Sequence, residues 1–121
     1  MKKLLKYLIY LYTLLIFTIS FLPSSELEEI PFRLLWDKLM HTVEYFIWGV
    51  FAFIFVDGVD SRDRAFGVVL VAAFVGAIDE GIQSTSAGRC VDIWDWCVDV
   101  FGAFLGITIS YLFAKPFLRP D

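Results

Sequence analysis

The chain has 121 residues, of which 59% are apolar, 18% aromatic and only 20% charged, and its mean hydropathy is +0.71. Soluble domains carry roughly 45–50% apolar and about 25% charged residues, so this composition excludes a disordered, collagenous or disulfide-rich chain and points to an integral membrane protein. The net charge of −4, with no basic patch, argues against a nucleic-acid partner.

A spanning helix needs about 20 mostly apolar residues, within a range of roughly 17–25. The first candidate, Tyr7 to Ser25, carries no charge. Lys2 and Lys3 before it resemble the start of a signal peptide, but the apolar run is long and no A-x-A-like site follows. An uncleaved helix is therefore expected over 5–24, with Pro23, Ser24 and Ser25 turning out of the membrane and Glu26, Glu28 and Glu29 in a solvated loop. The second apolar stretch, Tyr45 to Val56, implies a helix over 37–56, after which Asp57, Asp60, Arg62, Asp63 and Arg64 read as loop. The third, Ala65 to Ile78, implies a helix over 65–85, and the fourth, Val100 to Ala114, one over 92–114.

These last three stretches contain only 12, 14 and 15 residues. Each has to borrow turns from a polar flank. The second extends back through Glu44 and His41 to Asp37, the third forward through Asp79, Glu80 and Gln83, and the fourth back through Asp99 to Asp95 or Asp92. Ionisable residues thus reach membrane depth, where they are costly and face the bundle interior. Cys90 and Cys97 lie seven residues apart, which on one helix is roughly 10 Å of rise. That is too far for a bridge, so both read as buried small apolar residues.

Loop charges set the expected orientation. Lys2, Lys3, Lys6, Arg62, Arg64, Lys115 and Arg119 fall on one side, against Arg33, Lys38 and Arg89 on the other. Both termini are expected in the cytoplasm, with Trp36, Trp94 and Trp96 in the outer aromatic belt and Tyr7 and Tyr111 near the inner one. All the borrowed flanks then converge on the outer face. The expected fold is all-α, a single domain over 1–121 forming a four-helix membrane bundle.

The polar residues also form stripes, because positions three and four apart share a helix face. Asp37, Lys38, His41, Glu44, Tyr45 and Trp48 share one face of the second helix. Ala72, Gly76, Asp79, Glu80 and Gln83 share one face of the third. Arg89, Asp92, Asp95, Asp99, Gly102 and Gly106 line the fourth, where the two glycines have the spacing that lets helices approach closely. Seven carboxylates (Asp37, Glu44, Asp79, Glu80, Asp92, Asp95 and Asp99) face Lys38, Arg89 and His41. So many like charges at low dielectric require proton uptake or a counter-ion. Oxygen donors suit calcium, magnesium or manganese better than zinc, but no spacing matches a known metal motif, so neither a metal nor a cofactor is expected. Asp92 also suits a helix start, and Lys38 and Arg89 are expected to pair with the carboxylates.

The segments DKLMHTVEYFIWG and DEGIQSTSAGRCVDIWDWCVDVFGAFLG resemble the VanZ-like family. Its first element, D-K-x-x-H-x-x-x-Y, falls on Asp37, Lys38, His41 and Tyr45. Its second falls on Glu80, Gln83, Arg89, Asp92, Asp95, Asp99 and Gly102, with Asp99 standing where the family usually has Asn. The resemblance implies a small multi-pass protein of the bacterial cytoplasmic membrane, similar to a factor that lowers susceptibility to the lipoglycopeptide teicoplanin.

Three functions follow as expectations. In the first, Asp37, Lys38, His41, Tyr45, Glu80, Gln83, Arg89, Asp92, Asp95 and Asp99 bind a membrane lipid, a lipid-linked cell-wall precursor or a lipoglycopeptide. In the second, His41 with Glu44 or Glu80 forms an acid/base pair of a membrane-embedded enzyme acting on a lipid-linked substrate. In the third, the polar residues are an ion-pair network that keeps a structural or transport-associated bundle in register.

Overall fold

The computed structural model describes residues 2–22, 33–56 and 60–114. They form four helices: α1 (Lys2–Ser20), α2 (Arg33–Phe55), α3 (Ser61–Gln83) and α4 (Ile93–Ala114). No strand occurs among the described residues. Among the described residues, three stretches are long and apolar enough to cross a membrane: Leu35–Phe55, Arg62–Gln83 and Ile93–Phe113. The apolar part of α1, Lys6–Ser20, is shorter.

The helix limits differ from the sequence reading in ways that local chemistry explains. The first helix stops at Ser20 because the chain tightens there: the Phe21 N–H donates to the Thr18 carbonyl and the Leu22 N–H to the Ile19 carbonyl. The expected turn at Pro23 and the loop acids Glu26, Glu28 and Glu29 lie outside the described residues. The second helix begins at Arg33, since Leu34, Leu35 and Trp36 offer no breaker before Asp37.

The third helix begins at Ser61, so Arg62, Asp63 and Arg64 are helical rather than loop. Asp60 caps it by accepting the Arg62 N–H, and Asp63 in the first turn complements the helix dipole. The Arg64 guanidinium stands 5.2 Å from the centre of the Phe53 ring, which ties the start of α3 to the end of α2. Asp57 lies outside the described residues.

Between α3 and α4 the chain reverses at Gly88, whose φ of 77° suits a residue without Cβ. The fourth helix then starts from Asp92, whose Oδ1 accepts the Trp94 N–H at 2.9 Å. Cys90 therefore lies in the loop, off the helix that carries Cys97, and both thiols are free and exposed rather than buried.

The most extensive helix pairing is α2 with α4. There the backbones touch: Gly49 sits on Ala103, Gly102 on Thr42 and Gly106 on Phe46. A Cβ at any of the three would strike the facing carbonyl. Tyr45, Trp48 and Phe53 of α2, Ala72 of α3, Ala103 and Ile107 of α4 and Ile16 of α1 fill the core. Conversely Leu11, Leu14, Phe74, Phe104 and Phe113 stand more than half exposed. Apolar surface of this kind is what a helix presents to lipid rather than to water.

The antiparallel course of α2, α3 and α4 brings the start of α2, the end of α3 and the start of α4 to one end of the bundle. Ser20, at the end of α1, joins them through its contact with Asp79. This is the polar end.

Candidate functional site

His41, about two turns into α2, is the centre of the polar end. Its Nδ1 lies 2.7 Å from Asp99 Oδ1 on α4, and its Nε2 lies 3.4 Å from the Gln83 side-chain nitrogen on α3. Asp79 of α3 lies beneath this pair. Its carboxylate accepts hydrogen bonds from the Ser20 hydroxyl and, at 3.3 Å, from the Tyr45 hydroxyl. Asp79 and Asp99 are 1% and 0% exposed, so their polar atoms need partners inside the bundle rather than bulk water. Asp99 Oδ2 and Glu80 Oε1 have none among the described residues. The other Glu80 oxygen accepts the Asp92 backbone N–H at 3.1 Å, which joins the end of α3 to the cap of α4.

Nearer the surface, the Lys38 ammonium bridges α2 to α4 by donating to Asp92 Oδ2 at 2.9 Å and to Asp95 Oδ1. The hydrogen bond from Lys38, with that from the Trp94 N–H, holds the Asp92 carboxyl below the usual carboxylate range.

Above these residues opens a cleft of about 350 Å³, lined by Asp37, Gln83, Gly88, Arg89, Cys90, Val91, Asp92 and Asp95. Gln83 and Asp95 reach both the cleft and the buried layer. Among the described residues, two sets of donor atoms are close enough to hold one cation. Those of His41, Asp79 and Asp99 lie within 4.8 Å of one another, and so do those of Asp37, His41 and Asp95.

The residues expected from the stripes thus gather at one end, but their pairings differ from expectation in part. Lys38 pairs with carboxylates, whereas Arg89 lines the cleft and forms no ion pair among the described residues. The ring nitrogens of His41 face Asp99 and Gln83, not the Glu44 or Glu80 carboxylates. Glu44 is half-buried, and its backbone carbonyl accepts the Tyr12 hydroxyl at 3.1 Å. Trp36 and Trp94 are exposed, while Trp96 turns inward and donates its indole N–H to the Ala73 carbonyl at 2.8 Å.

Two residues of the site, Ser20 and Asp79, lie outside the binding set that the sequence suggests. A signal for Ser20 does exist. Ile9, Thr13, Ile16 and Ser20 recur at spacings of four, three and four on one face of α1.

A family model described as VanZ/LLP1 matches residues 7–114. The chain belongs to this family. Neither a curated protein nor a solved structure matches it. Family membership and the three apolar spans together make it a VanZ-like membrane protein.

Proposed function

We propose that this VanZ-like protein binds an amphiphile whose anionic, hydrogen-bonding headgroup enters the cleft at the polar end. The observation that carries the reading is the cleft itself, with Arg89 and the Gln83 amide on its wall. A guanidinium suits a phosphate, and an amide suits sugar or peptide groups. Lys38 is engaged by Asp92 and Asp95, which leaves Arg89 as the cation facing the cleft. The exposed apolar flanks of α3 and α4 would run beside the acyl or prenyl chain of such a molecule. A lipid, a lipid-linked cell-wall precursor and a lipoglycopeptide all present this combination. In this reading the polar end faces out from the cytoplasmic membrane of a bacterium.

Titration of the purified protein in nanodiscs with a short polyprenyl phosphate, read by native mass spectrometry, tests this. Arg89→Gln is expected to weaken binding at least about tenfold, corresponding to about 1.4 kcal/mol. Arg62→Gln, at the opposite end, leaves it unchanged. Equal binding by both variants would refute the assignment. Teicoplanin and vancomycin susceptibility of a Gram-positive host, compared for wild type and Arg89→Ala at equal membrane levels, separates the lipoglycopeptide from the lipids.

A second reading is favoured by the His41–Asp99 pair. A buried carboxylate on one ring nitrogen fixes the tautomer and orientation of an imidazole that works as an acid or base through the other. Here that other nitrogen faces Gln83, so catalysis would require the substrate to displace the amide. Asp99→Asn separates the two readings: it abolishes turnover by an enzyme that works through His41 and leaves headgroup binding at the Arg89 wall of the cleft in place.

A further inference from the structure

Beneath the headgroup cleft, and separately from it, we propose that His41, Asp79 and Asp99 form a binding site for one first-row divalent cation of the zinc or manganese type. The three residues come from α2, α3 and α4, and their donor atoms lie within 4.8 Å of one another. A single ion at about 2.0–2.2 Å from nitrogen and oxygen ligands fits inside such a triangle after small side-chain adjustments.

An independent observation points to a ligand. Asp99 is fully buried, yet its Oδ2 has no hydrogen-bond partner. That oxygen lies against α3, 3.4 Å from where a Cβ on Gly76 would stand, one turn from Asp79 on the same helix face. A buried carboxylate oxygen without a partner is costly, and few survive in a native interior without a bound ion or water. Glu80 Oε1, also buried and unpartnered, adds a second such atom to this layer.

Charge points the same way. The buried layer holds Asp79, Glu80 and Asp99 against one imidazole. No lysine or arginine hydrogen-bonds to any of the three carboxylates among the described residues, because Lys38 is held by Asp92 and Asp95 above them. A dication supplies the missing positive charge where a protein cation does not reach.

The donor set selects the ion. One imidazole and two carboxylates suit zinc, manganese or ferrous iron better than calcium, which prefers six to eight oxygens. The surrounding hydrogen bonds resemble the outer shell that orients metal ligands: Ser20 and Tyr45 hold Asp79, and Gln83 holds the far edge of the His41 ring. An entry path is also present. Asp37 and Asp95 line the cleft and form the second donor triangle, which shares His41 with the buried one. An ion captured at the cleft floor would pass inward through His41.

The chain contains one histidine, which makes the test unambiguous. The full chain, carrying a histidine-free tag, is stripped with chelator in detergent and titrated with zinc chloride and, separately, manganese chloride. We expect one equivalent of metal to remain bound after gel filtration. The ¹⁵N resonances of the His41 ring should shift at one equivalent of zinc and broaden with manganese. Asp79→Asn and Asp99→Asn should each weaken metal binding at least about tenfold, while Asp63→Asn at the start of α3 leaves it unchanged. Arg89→Gln also leaves it unchanged, so failure of the headgroup reading and failure of the metal site are distinguishable. Unmoved His41 resonances at saturating metal would overturn the proposal and assign the layer to carboxylates neutralised by protons. Wild-type metal affinity in both asparagine variants would overturn it as well. Should either variant not fold, Asp37→Asn, which removes a ligand of the outer triangle only, decides: His41 resonances that still shift at one equivalent of zinc support the buried site, and resonances that no longer move overturn it.

Discussion

His41 Nδ1 and Asp99 Oδ1 stand 2.7 Å apart across the α2–α4 interface, with His41 5% and Asp99 0% exposed. The pair sits at the same level of the bundle as the contact of Gly102 with Thr42, where the two backbones meet. Close backbone packing and the buried hydrogen bond therefore reinforce one another: the glycine contact brings the helices near enough for two short side chains to bridge them.

This pairing makes the first prediction. In metal-free protein, Asp99→Asn keeps an acceptor for His41 and should leave thermal stability near wild type. Asp99→Ala removes the acceptor and leaves a buried ring N–H without a partner, costing about 1–3 kcal/mol. Thermal unfolding in detergent, followed by circular dichroism, should rank the variants in that order.

The glycines supply a contrast within one protein. Gly102→Ala places a methyl group against the Thr42 carbonyl and should force α2 and α4 apart, at a cost of about 1–3 kcal/mol. Gly67→Ala meets nothing within 4 Å and lies inside α3, so it should stabilise the chain by about 0.5–1 kcal/mol. Opposite shifts in unfolding midpoint for the same chemical change are the expected result.

Acid sensitivity should localise to Asp92. Its carboxyl titrates below the usual range because Lys38 and the Trp94 N–H favour the charged form. A group whose folded value is depressed contributes stability above its unfolded value of about 3.9 and loses it as pH falls through the folded one. The contribution is therefore complete at neutral pH and disappears only in strong acid. Asn also caps helices, so Asp92→Asn should keep α4 intact yet flatten the stability profile below about pH 4. Unfolding midpoints between about pH 2.5 and 7 would show it.

Ser20 and Tyr45 share one acceptor, Asp79, and should behave as a unit. Ser20→Ala and Tyr45→Phe are each expected to destabilise. A double-mutant cycle should give a coupling of about 0.5–3 kcal/mol, because the second loss leaves Asp79 without either hydroxyl. Additive effects would mean that the two hydroxyls act independently.

Much of this arrangement was readable in the residues. Three apolar stretches too short to span by themselves forced His41, Asp79 and Asp99 into the bundle, and helical spacing put them on inward faces. Gly102 and Gly106 announced the close helix contact, although their partners Thr42 and Phe46 carry no such mark, since the glycines rest on backbone carbonyls. The pairings were less legible. Glu44 lies three residues from His41 and invited a local pair, but the histidine ring reaches across to α4 instead. Ser20 was hidden because one hydroxyl in a charge-free helix has no distinguishing pattern until Asp79 is placed beside it. The donor set of His41, Asp79 and Asp99 could not appear as a spacing motif, since each ligand comes from a different helix.

The most direct test of the headgroup site uses a residue already on its wall. Cys90 is exposed and lines the cleft, while Cys97 is exposed on α4 away from that lining. In a Cys97→Ser background, a thiol-linked photoreactive probe on Cys90 in native membranes should, on irradiation, capture a phosphate-bearing lipid or lipid-linked adduct visible by mass spectrometry. The yield should fall several-fold with Arg89→Gln. An adduct of equal yield in that variant, or none at Cys90 despite full labelling, would contradict a headgroup site at the polar end.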